Sequence, residues 1–433
     1  MSIGVLDIND SNLQLWHEGT AVQSPGYVLL QEKEYQFGSP ARAAARLQPR
    51  DINTRYWWQL STETLQPSLG PARHTGDLAH AHLRQLHQEA KCPSEILLAV
   101  SGSMQREQLA LLLGIVQQCP FDAVGLINRS VALGSLYARG ERLFHLEVQL
   151  HQAVISELTR QSHQIELQRT TPLPGCGLLQ LQERLVELIA ASFVRQTRFD
   201  PRRKADSEQQ LYDALPDALR TLQTVSETNL EVNGYRARIS AHELQAAGKR
   251  LFDSARDTMG VLRADDHVIT DPLAALLPGL TNLFEQMDVL QEDDIRRALQ
   301  AHQAQLIQRE QALSFVTALP CLDQNKMAAP DSTIEAPDTT SSAVNRRPIK
   351  ELTSQPPHIL YQCKARPLIE TGTTLGAGYD LYLSNGGWQL RDSGTPAIVN
   401  GATYHSGQIL ACGDTINIGT DATDAALLIE VVV

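Results

Sequence analysis

The chain has 433 residues, 42% hydrophobic and 20% charged, which is ordinary for a globular protein and leaves ample core for two or three domains. A formal net charge of -12 argues against nucleic acid as a partner, because phosphate binding needs clustered lysine and arginine. No apolar run is long enough to span a bilayer, and the first residues lack the basic segment and apolar core of a signal peptide, so a cytoplasmic protein without membrane insertion is expected. Six cysteines, Cys92, Cys119, Cys176, Cys321, Cys363 and Cys412, are scattered without a Cys-x-x-Cys pair. They read as reduced thiols, not as a metal site or a disulfide framework.

The first element reads as a β-hairpin. Ile3-Gly4-Val5-Leu6-Asp7-Ile8 is an apolar run broken by one aspartate, Asn9-Asp10-Ser11-Asn12 is a polar turn, and Leu13 and Leu15 resume the alternation. Gly38-Ser39-Pro40 opens an alanine-rich helix, since proline is tolerated near a helix N-terminus, and Ile52-Asn53-Thr54 follows. Residues 95–100 form a buried strand. After Ser101-Gly102-Ser103 come an amphipathic helix through Ile115, a strand ending in Gly125-Leu126-Ile127-Asn128, and a helix over residues 129–137. From 143 to 155 alternation runs on without a turn glycine, placing His145, Glu147, Gln149 and His151 on one face. Same-face parity hints at metal ligands, but His145 and His151 would lie about 20 Å apart along an extended strand, so they are read as solvated positions.

Residues 178–194 read as an amphipathic helix, and residues 229–240 as a hairpin entering a helix whose Ser240 and Glu243 are spaced as a capping box. Residues 293–319 read as one long polar helix, with Gln300, Gln303, Gln308 and Gln311 on a solvated or partner-packing face. Residues 322–357 are rich in Pro, Ser, Thr, Asp and Ala and form an expected flexible linker. From 358 onward, short strands alternate with Gly and Asn turns, as in a small all-β sandwich.

Over residues 1–321 the order and spacing of six of these segments resembles the heat-shock protein 70 (DnaK-type) branch of the actin-like ATPase superfamily. The resemblance implies an α/β actin-like ATPase fold, a duplicated ribonuclease H-like domain. In that family the first strand ends in Asp-Leu-Gly-Thr-Thr, whose glycine lets the backbone approach a phosphate. Here Asp7 is kept, the glycine is Asn9 and the first threonine is Asp10, a carboxylate where the anion would sit. The catalytic lysine that follows Asn-Thr by five residues is Gln59, so a charge that would stabilise the transferring phosphoryl is missing. Arg129 replaces the acidic residue after Ile-Asn, His145 replaces the metal-linked aspartate of the second phosphate loop, and that loop's three glycines are absent. Of the residues that contact adenosine only Arg220 keeps its type, and Thr270-Asp271-Pro272 stands in place of Gly-Gly-Ser. Asp7, Asn9, Asp10, Gln59, Arg129, His145, Arg220 and Thr270 therefore mark a degenerate nucleotide site.

Residues 358–433 resemble a forkhead-associated domain, a phosphothreonine-binding β-sandwich, in Val399-Asn400-Gly401 and in the run from Gly413 to Gly419. The family's Gly-Arg pair is Gly376-Ala377, its Ser-x-x-His segment is shortened to Ser384-Asn385-Gly386-Gly387, and Thr395 stays near the third loop. Phosphothreonine recognition relies on charge-assisted donors, usually arginine, so Gly376, Ala377 and Thr395 mark a degenerate peptide site. The reading is a non-enzymatic scaffold or adaptor with protein partners: a pseudo-ATPase with no catalytic residue, no metal and no required cofactor. The alternatives are an ATP-binding heat-shock protein 70-like chaperone, holding ATP and Mg²⁺, and a phosphopeptide-binding adaptor.

Overall fold

The strand Gly4–Ile8 is buried along its whole length in the computed structural model because it has a neighbour on each side. It pairs antiparallel with Leu13–His17, Val5 opposite Trp16 and Asp7 opposite Gln14, and parallel with Glu95–Val100, Gly4 opposite Ile96 and Ile8 opposite Val100. Thr20–Ser24 extends this first sheet on one side, and Asp122–Asn128 then Phe315–Val316 extend it in parallel on the other. The described residues are 3–309, 312–322, 358–361, 364–367, 373–374, 380–384, 387–391, 398–399, 402–405, 408, 410, 415–417 and 425–429. The chain divides into two compact units, Met1–Ser332 and Thr333–Val433.

A second sheet in the first unit repeats the plan. Arg142–Val148 pairs antiparallel with Gln152–Gln161, which pairs with Gln164–Pro174, while its other edge pairs parallel with His267–Thr270, followed by Met287–Val289. Helices Thr75–Glu89 and Arg106–Val116 bury Leu78, Leu83 and Leu112 on the first sheet. Leu178–Thr197, Ala205–Leu222 and Lys249–Met259 bury Ile189, Leu215 and Leu251 with the second. Helices Arg129–Tyr137 and Asp294–Ala301 share one core with both sheets: Val131, Leu133 and Leu299 pack with Val5 and Leu97 of the first and Leu143 and Ile269 of the second. Each fully buried aliphatic side chain contributes roughly 1.5–3 kcal/mol, so this shared core holds the two sheets in one unit.

The expected continuous helix over 293–319 does not form. Asp294–Ala301 ends at His302, a short helix Gln303–Leu306 follows, and the chain then turns onto the sheets as Phe315–Val316 and Ala318–Pro320. Sheet edges supply the reason. Gln308 N–H donates to Val124 O at 2.7 Å, Leu126 and Ile127 pair with Phe315 and Val316, and Gln164 to Glu166 pair with Pro320 to Ala318. Tertiary pairing outweighs the helix preference of the glutamines. Gly125 permits this packing: a Cβ there would meet Leu306 O at 2.5 Å.

The continuous alternation over 143–155 is also interrupted, by a turn at residues 149–151 that makes a hairpin without glycine. Other elements form where the sequence places them, although the helix opened by Gly38 is only Ser39–Ala43, and Ser240 caps Ala241–Leu244 by accepting from Glu243 N–H at 3.3 Å. Among the described residues no helix is long and apolar enough to cross a membrane.

In the second unit, the described strands form two antiparallel sheets. One runs in the order Lys364–Pro367, His358–Tyr361, Ala425–Ile429, Thr415–Asn417, Ile398–Val399, Ala402–Thr403; the other joins Thr373–Thr374, Asp380–Ser384 and Gly387–Arg391. Leu381, Trp388, Leu390, Leu410 and Ile416 are buried, and Arg391 lies over the Tyr382 ring at 4.8 Å. The expected linker, from residue 323 on, lies outside the described residues.

In the first unit His82 joins three segments. Its ring is fully buried, stacks on Phe37 at 4.8 Å, and contacts Ser24 Oγ through Nε2 at 2.7 Å and Tyr56 Oη and Trp57 Nε1 through Nδ1 at 2.8 and 3.1 Å. The indole N–H can only donate, so Nδ1 accepts and the proton sits on Nε2, donating to Ser24. Burial pushes the imidazole pKa down to about 3, below its unfolded value. The expected NMR signature is a neutral His82 with the proton on Nε2 from pH 8 to pH 4; titration near pH 6 in the folded chain would contradict this hydrogen-bond scheme.

Candidate functional site

Four buried chain segments converge on one guanidinium. Asp7 lies within the first strand, Arg129 begins the helix that Asn128 caps by accepting from Val131 N–H at 3.1 Å, Glu147 lies near the end of Arg142–Val148, and Asp271 follows His267–Thr270. Arg129 Nε donates to Asp7 Oδ1 and Oδ2 at 2.8 and 3.0 Å, and Nη2 and Nη1 donate to Asp271 Oδ1 and Oδ2 at 2.6 and 3.2 Å. Glu147 Oε2 stands 3.8 Å from Nη1. Arg129 and Asp271 are each 6% exposed, and Asp7 and Glu147 less still.

One cation therefore faces three carboxyl groups out of water. Burial opposes the charge on Arg129, but Asp271, Asp7 and Glu147 together raise its pKa well above the ordinary value, so it stays protonated. Burial raises the Asp7 carboxyl against the pull of Arg129, and burial lifts Glu147 to about 7, again against Arg129. Breaking such a pair by removing one partner costs about 3–5 kcal/mol, because a buried charge is left uncompensated. The network thus ties the first sheet, through Asp7, to the second sheet, through Glu147 and Asp271.

His145 and Glu147 are buried, not solvated, which corrects the reading of that strand face. The cause is the helix Arg129–Tyr137, which covers that face: Val131 and Leu133 pack with Leu143, Ser130 meets His145 and Arg129 meets Glu147. His145 Nδ1 lies 2.8 Å from Ser130 Oγ, and Nε2 lies 3.8 Å from Asp271 Oδ2. Burial lowers the imidazole pKa to about 4. Ser130, His145 and Asp271 stand in the order of a nucleophile, base and orienting acid. Ser130 and His145 have no exposed surface, however, so no substrate reaches the hydroxyl. Among the described residues, no group of three or more His, Cys, Asp or Glu side chains is placed to hold a metal ion.

The two hairpin turns are closed by their own side chains. Asn9 Oδ1 accepts from Ser11 N–H at 3.0 Å and Ser11 Oγ–H at 2.9 Å, and Asn12 N–H donates to Asn9 O at 3.0 Å. Asp10 Oδ1 accepts from Leu150 N–H at 2.7 Å, linking the first turn to the second. Burial lifts this carboxyl to about 7 against the Leu150 and Ser11 N–H groups. Gln149 N–H donates to Gln152 O at 2.9 Å. Thr270 Oγ1 donates to Leu146 O at 2.9 Å, which makes it part of the second sheet's framework.

Asp7, Asn9, Arg129, Arg220 and Asp271 border one cavity of about 370 Å³. Arg220 reaches its rim from an exposed position and is paired with Asp217 at 2.5 Å. Gln59 stands apart: it is exposed, and its carbonyl accepts from Thr75 Oγ1 at 2.9 Å. Gly376, Ala377 and Thr395 lie outside the described residues. No protein-family model matches the chain, and no curated protein matches it. Asp271 and Glu147 are the members of the cluster that sequence reasoning missed as partners of Arg129. A signal was present: an arginine opening an apolar helix needs buried acids, and each of these acids adjoins or lies within an apolar strand.

The pH dependence follows from Glu147. Its folded pKa, about 7, is raised above its unfolded value of 4.5, so its contribution is complete below pH 4.5 and is lost as pH rises through about 7. Glu147→Gln lacks this loss, while Asp10, His82 and His145 are common to both chains. The stability difference, variant minus wild type by urea unfolding, is expected to rise between pH 4.5 and 8 by on the order of 3 kcal/mol and then level off. A difference that is flat with pH would show that Glu147 ionises as freely in the folded chain as in the unfolded one.

Proposed function

We propose that this chain is a non-enzymatic scaffold or adaptor: a catalytically degenerate heat-shock protein 70-like unit of the actin-like ATPase class over residues 1–321, followed by a forkhead-associated-like unit over 358–433 that contacts protein partners. The proposed setting is the cytoplasm. The observation that carries the reading is the Arg129 network, in which Asp7, Asp271 and Glu147 are committed to an internal cation.

Four physical arguments support it. A magnesium ion at a phosphate site is usually held by one or two carboxylates plus phosphate oxygens, and the carboxylates here already neutralise a guanidinium. Phosphate-binding turns present free backbone N–H groups, whereas Ser11, Asn12, Gln149 and Leu150 each donate theirs within the chain. The Gln59 side chain is neutral and exposed and borders a different cavity from the cluster, so no lysine-like charge meets a transferring phosphoryl. These residues do not fit Mg-ATP. In the second unit Ala377 supplies neither charge nor side-chain donor for a phosphate, which favours a docking role independent of phosphothreonine.

The test is calorimetric and thermal-shift titration of the full chain with Mg-ATP and Mg-ADP, together with steady-state phosphate release. No saturable binding, no shift in Tm and no release above buffer are expected. Saturable binding with steady phosphate release, both abolished by Asp7→Ala, would overturn the proposal and restore an ATP-binding chaperone.

A further inference from the structure

A second cavity of about 370 Å³ has a different chemistry from the one beside Arg129. Trp57 and Trp58 line it, with Asp10 from the first turn, Gln149 from the second, and Glu107 and Gln108 from the helix Arg106–Val116. Among the described residues, none that lines it is lysine, arginine or histidine. An anion entering this space would meet carboxylates and no compensating cation, so anionic ligands are disfavoured.

The neutral polar groups in the wall are turned on one another. Gln149 Nε2 donates to Glu147 Oε1 at 2.8 Å and Gln149 Oε1 accepts from Gln152 Nε2 at 2.9 Å. Gln108 Nε2 donates to Trp58 O at 3.1 Å while its Oε1 accepts from Gln105 N–H at 2.9 Å, and Gln105 Nε2 donates to Ser103 O at 3.2 Å. A polyol needs free amide donors and acceptors, and the Gln149 and Gln108 amides are engaged at both ends. The wall also offers aromatic surface and negative charge, which suit a cation.

Both indoles are fixed in place. Trp57 turns its N–H inward to His82, so it meets the cavity with carbon, and Trp58 is stacked on His151 at 5.1 Å and 17° while still 37% exposed. Burial lowers the His151 pKa, so the ring against Trp58 is neutral and the indole's attraction for a cation is unspent. Asp10 is 6% exposed, and its second carboxylate oxygen is not part of the bond to Leu150.

We propose that this cavity binds an organic cation, an alkylammonium or guanidinium group, against the Trp57 and Trp58 rings with Asp10 and Glu107 as counter-charges. The same chemistry serves a free amine or a lysine or arginine side chain of a partner protein. The inference goes beyond the scaffold role and does not rest on it: the cavity touches the Arg129 network through the Gln149 bond to Glu147, but Asp7, Arg129, Glu147 and Asp271 do not line it.

The experiment titrates the full chain at pH 8, above the raised Asp10 pKa of about 7, by calorimetry and by indole NMR shifts, with n-butylamine, with a lysine-containing peptide blocked at both ends, and with n-butanol as the uncharged isostere. Binding of both cations, with indole shifts at Trp58 and no response to butanol, is expected. Trp58→Leu and Glu107→Gln, both at exposed positions that leave the core intact, are each expected to weaken binding by about tenfold, and Asp10→Asn by at least as much. Tighter binding of the peptide than of the amine assigns the site to a partner's side chain; the reverse order assigns it to a free amine. Equal binding of butanol, affinities unmoved by Trp58→Leu and Glu107→Gln, or no binding of either cation in the millimolar range would overturn the proposal.

Discussion

The guanidinium of Arg129 is held by carboxylates from both halves of the first unit, and the rest of the cleft is arranged around that constraint. A buried cation is tolerated only when its donors are occupied and its charge is matched. Asp7 takes one edge of the fork and Asp271 the other, so two strands from different sheets are fixed relative to one helix end. The apolar core shared by helices Arg129–Tyr137 and Asp294–Ala301 brings the sheets together, and the ion network bonds a residue from each to the same helix end. Hydrophobic burial supplies the larger energy.

The same logic extends to the turns beside the network. A turn built to hold an anion leaves N–H groups unsatisfied until the ligand arrives. Here Asn9 satisfies Ser11, and Asp10 crosses to Leu150, so each turn is complete without a guest. The Asp10 carboxylate thereby bonds one hairpin to the other. In the proposed scaffold role the cleft is a fixed joint, and the carboxylates that keep it closed also set the pH at which it weakens.

Much of the framework was readable because it is written in local pattern. The hairpin at Asp7, the strand ending in Asn128 and the helix from Arg129 follow from apolar runs broken by short polar turns, each a matter of a few neighbouring residues. The helix expected over 293–319 failed because its competitor was distant: Phe315–Val316 and Ala318–Pro320 complete sheet edges contributed by residues far earlier in the chain. The cluster was half legible for the same reason. Arg129 and His145 stood out as departures from a resembled pattern and Asp7 as its kept residue, but Asp7 and Asp271 lie 122 and 142 residues from Arg129 and nothing local pairs them with it. His145 and Glu147 were misplaced on a solvated face because strand parity gives the side and not what covers it.

The most direct measurement of the central claim is a double-mutant cycle between Arg129→Met and Asp271→Asn, followed by urea unfolding at pH 8, where free carboxyl groups are ionised. If Arg129 is the shared counter-charge, Asp271→Asn destabilises the wild type by about 2 kcal/mol, less than a full break because Asp7 still pairs with the guanidinium, and stabilises the Arg129→Met chain, because it then removes an uncompensated buried charge. The sign reversal is the expected result. Additive costs, with Asp271→Asn equally destabilising in both backgrounds, would contradict the account.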